Sequence, residues 1–176
     1  MPGSGKTSVG ARLAELLDCP FLDVDAQIEK AQRRSVADIF AVAGEAEFRR
    51  LEEAATLRAL EREAVVALGG GAVTSVAVRQ ALHRHRVVWL KANVPTAVAR
   101  VGEQVDRPLL ARDPARQLAE LMAERTPLYA EVADLVVPTD GRGVDEIAAE
   151  IVDWLSHRPA EQQADAGQQG TEATNG

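Results

Sequence analysis

The chain has 176 residues, a length that suits one domain with a single sizeable hydrophobic core. Its formal net charge of −7 argues against general binding to nucleic acids or anionic membranes, so any anionic substrate must be held by local arginines. One cysteine, Cys19, excludes an internal disulfide, and we find no signal peptide and no apolar stretch long enough to span a bilayer, so we expect a cytoplasmic protein.

The first feature along the chain is most of a phosphate-binding loop, Gly3-Ser4-Gly5-Lys6-Thr7. The full pattern, G-x-x-x-x-G-K-[ST], would place its first glycine one residue before Met1. Glycines let the backbone wrap closely around phosphate, and the N–H groups that open the next helix bind anions. Lys6 can reach the β- and γ-phosphates, and the Thr7 hydroxyl can bind Mg²⁺. The pattern predicts a nucleotide site, and the alternative is a chance glycine-rich turn.

Short apolar runs alternate with helical patterns along the rest of the chain. Strands are predicted at Phe21–Asp25, Val65–Leu68, Val87–Leu90 and Leu135–Val137. Helices are predicted at Val9–Leu17, after Ser35 as N-cap, from about Glu45 to Arg62, around Pro95 in a first turn, at Pro114–Thr126 and at Val144–Leu155. This alternation predicts an α/β fold with a mostly parallel sheet covered by helices on both faces.

We expect one P-loop domain at residues 1–156, followed by a disordered polar tail at residues 157–176. The tail is rich in Gln, Ala, Gly and Thr and has no apolar periodicity. Cys19 is expected to be a small buried residue, as free cysteines usually are. The histidines His83, His85 and His157 have no metal or catalytic spacing and are interpreted as surface residues.

Two acidic residues, Asp23 and Asp25, stand at the carboxyl end of the first predicted strand, the edge at which parallel sheets bind ligands. The period of two in a strand would put both carboxylates on the same side. One could hold a Mg²⁺-bound water, and the other could accept a proton from a substrate hydroxyl. The alternative is a helix N-cap acid with a solvated partner.

A glycine turn and four arginines complete the candidate site. Gly69-Gly70-Gly71 follows a predicted strand and could present backbone N–H groups to an anion or hydroxyl, or could simply be a tight β–α turn. The candidate arginines are Arg49, Arg107, Arg125 and Arg142. Guanidinium groups bind phosphates and carboxylates bidentately, although each arginine taken alone could be a solvated surface residue.

Taken together, these motifs resemble those of the shikimate kinase family of small P-loop kinases. The matching stretches are residues 2–7, 22–25, 35–40, 44–52, 68–73, 107–110 and 125–129, in family order and across roughly residues 1–155. The D-V-D, F-R-R-L-E, G-G-G and R-T-P-L-Y segments together point to this family, whereas the P-loop alone would indicate only an NTPase. The resemblance implies the transfer of phosphate from ATP to the 3-hydroxyl of shikimate, on the route to chorismate and aromatic amino acids.

The resemblance also implies a role for each candidate residue. The loop Gly3–Thr7, extended to Ser8, would bind the ATP phosphates, with Lys6 steadying the transferred group. Asp25 would orient the substrate hydroxyl and take its proton. Thr7 and Asp23 would serve Mg²⁺, Asp23 through water. The remaining implied contacts are Arg49 and Arg125 to the shikimate carboxylate, the Gly70 amide to the ring hydroxyl side, Arg107 from a mobile lid over ATP, and Arg142 near the adenine.

One departure from the family pattern concerns the start of the sheet. Family members begin with a short apolar strand that ends in glycine just before the position of Met1, and the resemblance places that strand in the centre of the sheet. We therefore expect this chain to lack its first central strand. We also expect a monomer whose partners are ATP and shikimate, with no nucleic acid and no membrane. The alternatives are a gluconate-type or nucleotide kinase, or a non-catalytic nucleotide-binding module.

Overall fold

The computed structural model describes residues 3–102 and 114–157. Within these residues, helices and strands alternate along the chain. The helices are α1 Lys6–Leu16, α2 Val24–Gln32, α3 Val36–Leu60, α4 Val76–Leu82, α5 Val94–Gly102, α6 Pro114–Val132 and α7 Val144–His157. The strands are β1 Phe21–Asp23, β2 Val65–Ala67, β3 Val88–Lys91 and β4 Leu135–Pro138, and a short 3₁₀ helix covers Ala72–Thr74.

The four strands form two separate parallel pairs. Strand β1 pairs with β2, with Leu22 opposite Val66, and β3 pairs with β4, with Trp89 opposite Val136. The prediction of an α/β fold with parallel strands is confirmed. Consecutive residues of a strand point to opposite faces of the sheet, and Trp89 packs with residues of α4 and α6 whereas Leu90 packs with residues of α1 and α7. Helices therefore cover both faces of the β3–β4 pair.

An apolar cavity of about 650 Å³ lies between the two pairs of strands. Its walls include residues 65–68 of β2 and its end, residues 87–90 at β3, and Val9 and Leu13 of α1. Among the residues that the structure describes, neither β2 nor β3 has a second strand partner. The cavity thus lies between the β2 edge of one pair and the β3 edge of the other.

Three elements differ from their predicted limits. Strand β1 stops at Asp23, so the prediction that Asp25 belongs to the strand is wrong. Helix α3 joins the helix predicted after Ser35 to the long helix predicted from about Glu45, with a bend at Gly44, where φ is 80°. It begins after Ser35, whose side chain forms a capping box with Asp38. Helix α6 continues through Pro127, six residues beyond the predicted end at Thr126.

The remaining structural expectations have mixed outcomes. Cys19 is only half-buried, so the expectation of a buried residue is wrong, whereas His83, His85 and His157 are exposed as predicted. No helix in the described ranges is long and apolar enough to cross a membrane. The predicted lid with Arg107 and the predicted tail beyond His157 lie outside the described residues.

Candidate active site

The P-loop residues adopt the backbone conformation that the pattern requires. Gly3 and Gly5 have φ angles of 68° and 85°, in the left-handed region that favours glycine, and Gly5 is the N-cap of α1. A β-carbon at Gly3 would lie 2.6 Å from the carbonyl oxygen of Ala97, so the loop is packed tightly against α5. The N-terminus of α1, whose first N–H groups lie outside the intrahelical hydrogen-bond pattern and whose dipole end is positive, follows directly and suits an anion.

The first helix and the first strand meet at a hydrogen bond between Thr7 and Asp23. The Thr7 hydroxyl donates to Asp23 Oδ2 over 2.7 Å. Asp23 Oδ1 accepts from the Ala26 N–H at 3.2 Å and caps α2, so the N-cap interpretation holds for Asp23 together with the Thr7 contact. The two predicted Mg²⁺ ligands are therefore neighbours in the fold.

Asp25 reaches the site from the first turn of α2 and not from a strand, so the period-two argument for its side chain is wrong. Its position still brings it to the glycine turn. A β-carbon at Gly69 would lie 2.7 Å from Asp25 Oδ1 and 3.1 Å from the carboxyl carbon of Glu52. Gly69 therefore allows β2 to end directly against these two carboxylates, which a side chain at this position would prevent.

Glu52 is a buried carboxylate that joins the long helix to the glycine turn. It is only 2% exposed, it accepts a hydrogen bond from the Gly71 N–H at 3.3 Å, and it forms an ion pair with Arg49. Burial raises the pKa of Glu52; pairing with Arg49 opposes that rise, and the nearby Asp25 carboxylate adds to it. Asp25, Glu52 and Arg49 therefore form one electrostatic cluster beside the turn.

Arg49 is held firmly on the same side of the turn. Its guanidinium pairs with Glu52 and with Glu45 and lies 5.4 Å from the centre of the Phe48 ring. Burial alone would lower the pKa of Arg49, but the two glutamates raise it. A β-carbon at Gly71 would collide with this guanidinium, so Gly71 is required for the arginine to lie across the turn.

Arg125 approaches the glycine turn from α6. It is 7% exposed, and its Nη1 donates to the Gly70 carbonyl oxygen at 3.0 Å. No carboxylate in residues 3–102 or 114–157 forms an ion pair with it, and its buried Nε has no hydrogen-bond partner there. A buried guanidinium without a counter-ion is costly, and an anionic ligand at the turn would compensate for it.

Two further arginines contact the end of β4 and the loop that follows it. Arg100, on α5, donates to the Gly3 carbonyl at 3.3 Å and to the Thr139 carbonyl at 3.0 Å, so it links the P-loop to the loop after β4. Arg142 donates to the Pro138 carbonyl at 3.3 Å and pairs with Glu146 and Glu150 on α7.

The geometry thus supplies three chemical functions at one edge of the fold. The P-loop and the N-terminus of α1 suit an anion, the Thr7–Asp23 pair offers hard oxygen ligands, and Asp25 lies at the glycine turn that Arg49 and Arg125 also contact. Such a set suits the transfer of a phosphoryl group to a hydroxyl of a small anionic acceptor, because this reaction depends on positioning and charge neutralisation.

A profile of the shikimate kinase family matches residues 2–156 of the chain. The chain belongs to the shikimate kinase family. The shikimate kinase of Streptomyces avermitilis is 48% identical over 159 residues, which cover 90% of this chain and 93% of that protein. The shikimate kinase of Salinispora tropica is 49% identical over 155 residues, with coverages of 88% and 93%.

Solved structures support the same membership. A shikimate kinase from Acinetobacter baumannii, in complex with shikimate, matches with a TM-score of 0.85 and 37% identity, covering 88% of this chain and 89% of that chain. The shikimate kinase from Aquifex aeolicus matches with a TM-score of 0.73 and 32% identity, with coverages of 87% and 90%. The sequence-based prediction of a shikimate kinase, an ATP-dependent transferase with a P-loop fold, is confirmed.

Within this shikimate kinase fold, most of the predicted site residues come together. Thr7 contacts Asp23, and Asp25, Arg49 and Arg125 all contact the turn that contains Gly70. Lys6 begins α1 directly after the P-loop glycines. Sequence reasoning assigned no role to Glu52, Tyr129 or Arg100. Glu52 and Tyr129 lie inside stretches that match the family motifs, and this position is the sequence signal that points to a role for them. Arg100 falls in an ordinary helical pattern, which gives no such signal.

Proposed function

We propose that the chain transfers the γ-phosphoryl group of ATP to the 3-hydroxyl of shikimate at the edge formed by the P-loop and the glycine turn. The observation that carries this assignment is the buried Arg125 guanidinium, which lacks a counter-ion in the described part of the chain and lies at the same turn as Arg49 and Asp25. A small hydroxylated carboxylate has a carboxylate for the two arginines and a hydroxyl for Asp25.

The acceptor end of the site depends on charge. We assign the shikimate carboxylate to Arg125 and Arg49, since guanidinium groups bind carboxylates bidentately. The charge of Arg49 is already shared with two glutamates, so Arg125 carries the larger uncompensated charge. The Gly70 amide is assigned to the hydroxyl side of the ring, next to Asp25.

Asp25 is assigned as the residue that orients the attacking hydroxyl. In the transfer, the hydroxyl oxygen forms a bond to the γ-phosphorus while the bond to the β–γ bridging oxygen breaks, leaving ADP. The hydroxyl proton passes to the Asp25 carboxylate. Glu52 is buried next to Asp25, and this second negative charge favours proton uptake by the pair.

The phosphate end is assigned to the P-loop. The backbone of Gly3, Ser4 and Gly5 and the start of α1, including Ser8, would surround the phosphates, and the Lys6 ammonium would balance their charge as the bond breaks. Arg107 is assigned to a lid over ATP and lies outside the described residues. Arg142 is assigned to the adenine end, where it already bonds the loop after β4.

The donor set at Thr7 and Asp23 fits Mg²⁺. A hydroxyl and a carboxylate whose oxygens lie 2.7 Å apart are hard oxygen ligands, and Mg²⁺ in kinases typically takes only one or two protein ligands beside phosphates and water. In the described ranges, no group of three or more His, Cys, Asp or Glu side chains is arranged to hold a metal ion. When bound, Mg²⁺ would neutralise phosphate charge.

We also propose that the protein is a monomer and that it is cytoplasmic.

The acceptor assignment is tested by a substrate panel. With ATP and Mg²⁺, the chain should phosphorylate shikimate well ahead of gluconate or AMP, because only shikimate presents a carboxylate and ring hydroxyls in the geometry of the turn. The assay measures phosphate transfer through the ADP that is released. Equal or faster turnover of gluconate or AMP would overturn the acceptor assignment, and ATP binding without any transfer would favour a non-catalytic nucleotide-binding module.

Replacing Arg49 should weaken shikimate binding. We expect Arg49→Ala to cost about 2–5 kcal/mol of shikimate binding, the range for removing one partner of a buried charge contact, with little change in the KM for ATP. The matched control is Arg50→Ala, because Arg50 is the next residue and its one ion pair in the described ranges is an exposed pair with Glu47. Equal effects of the two substitutions on the KM for shikimate would refute the role of Arg49.

A further inference from the structure

The peptide unit between Gly70 and Gly71 is bonded at both of its polar ends. Its carbonyl oxygen, on Gly70, accepts from the Tyr129 hydroxyl at 2.6 Å and from Arg125 Nη1 at 3.0 Å. Its N–H, on Gly71, donates to Glu52 at 3.3 Å. A peptide between two glycines rotates more easily than any other, so these three bonds decide which way it points.

The position and packing of Tyr129 hold its hydroxyl group at the Gly70 carbonyl. It stands four residues after Arg125 on α6, so both side chains leave the same face of the helix. It is 7% exposed, and its ring stacks on Trp89 with the ring centres 5.5 Å apart. Burial raises the pKa of the Tyr129 hydroxyl to about 12, so the group remains a hydrogen-bond donor throughout the physiological range.

We propose that Tyr129 is a positioning residue that fixes the Gly70–Gly71 peptide and, through the shared carbonyl, the direction of Arg125. The Arg125 guanidinium donates to the Gly70 carbonyl and also interacts with the Tyr129 hydroxyl, which is bonded to the same carbonyl. If that carbonyl turns, the Arg125 guanidinium loses its hydrogen bond to Gly70, and the backbone of the turn at Gly70 changes conformation. Tyr129 does not touch the reacting groups; it acts through the peptide. The effect on catalysis rests on the assignment of shikimate to this turn.

The test is Tyr129→Phe, which removes the hydroxyl and keeps the ring on Trp89. The KM for shikimate should rise about three- to tenfold, the equivalent of one neutral hydrogen bond, while kcat and the KM for ATP stay nearly unchanged. The matched control is Val132→Ala, because Val132 is buried in the same core cluster and on the same helix but its side chain has no group that could form a hydrogen bond with the turn. An equal rise in the shikimate KM for Val132→Ala would show that Tyr129 acts only through stability and would overturn the proposal.

A second readout needs no substrate. Hydrogen exchange of the Gly71 amide, measured by NMR on the substrate-free protein, should be several-fold faster in Tyr129→Phe than in Val132→Ala, because the peptide has lost one of its anchors. Unchanged Gly71 exchange would overturn the positioning role whatever the substrate is. Faster exchange with no turnover of shikimate by the unmodified chain would instead retain the positioning role and refute the proposed acceptor.

A double-mutant cycle tests the link to Arg125. In an Arg125→Lys background, Tyr129→Phe should change shikimate affinity by less than twofold, because the lysine cannot use the Gly70 carbonyl as the guanidinium does. A full three- to tenfold effect in that background would mean that Tyr129 acts independently of Arg125, which contradicts the proposal.

Discussion

Asp25→Asn should reduce kcat by about two to four orders of magnitude, the usual range for loss of a general base. The amide preserves the shape of the side chain at the start of α2 and at Gly69, but it removes the charge that accepts the hydroxyl proton. ATP affinity should change little, since Asp25 lies at the glycine turn. Steady-state kinetics with each substrate varied separately measure both effects.

Two comparisons make this result specific to Asp25. Asp145→Asn changes an exposed carboxylate that pairs with Arg12 at the surface, and it should leave kcat unaffected. Lys6→Ala, by contrast, should impair both ATP binding and turnover, because its ammonium belongs to the P-loop. If Asp25→Asn kept near-normal turnover, Asp25 would be a structural residue of the helix start and the assigned mechanism would be wrong.

Filling the cavity between β2 and β3 should produce the largest change in stability. Fusing about ten residues that form an apolar strand and end in glycine to the start of the chain would bury about four apolar side chains, each worth roughly 1.5–3 kcal/mol. Hydrogen bonds to the open edges of β2 and β3 would add to this gain, and the entropy lost in ordering the strand would reduce it. We expect a higher melting temperature, by roughly 2–4 °C for each kcal/mol of net stabilisation.

The matched control for this experiment is an extension of equal length made of glycine and serine. It adds residues before Gly3 but cannot bury apolar surface in the 650 Å³ cavity. The apolar extension should also increase ATP affinity, because it would anchor the P-loop on the side opposite to α1. Equal melting temperatures for the chain, the apolar extension and the polar extension would show that the cavity does not accept a strand.

Local sequence signals predicted the parts of the fold that local interactions determine. Ser35 and Asp38 form the predicted helix start because a capping box satisfies the first N–H groups within four residues. The alternation of strands and helices followed from apolar periodicity, and the P-loop geometry followed from its glycines. The family motifs predicted that Asp23, Arg49 and Arg125 belong to one site.

The failures arise where packing between distant segments overrides local preference. Proline lacks the N–H that a helix interior uses, so Pro127 predicts a helix end. Helix α6 nevertheless continues, because Arg125, Tyr129 and Val132 are buried against the glycine turn and the core. The error at Asp25 has a local cause instead: the apolar run continues to Val24, but the Asp23 side chain accepts from the Ala26 N–H and starts a helix, which is the N-cap alternative considered for these acids.

The roles of Glu52 and Tyr129 could not be derived from residue type or spacing. A glutamate in a charged helix and a tyrosine after a proline are ordinary surface patterns, yet both side chains are buried at the glycine turn. Their partners, Gly71 and Gly70, lie 19 and 59 residues away in sequence. Only the tertiary fold brings these groups together.

The most direct test of the central claim is a crystal structure of the protein with shikimate and ADP–Mg²⁺. The account predicts the carboxylate of shikimate bonded to the guanidinium groups of Arg125 and Arg49, its 3-hydroxyl within hydrogen-bond distance of Asp25, and the β-phosphate of ADP at the start of α1. A shikimate bound with its carboxylate towards the P-loop, or bound away from the Gly69–Gly71 turn, would contradict the account.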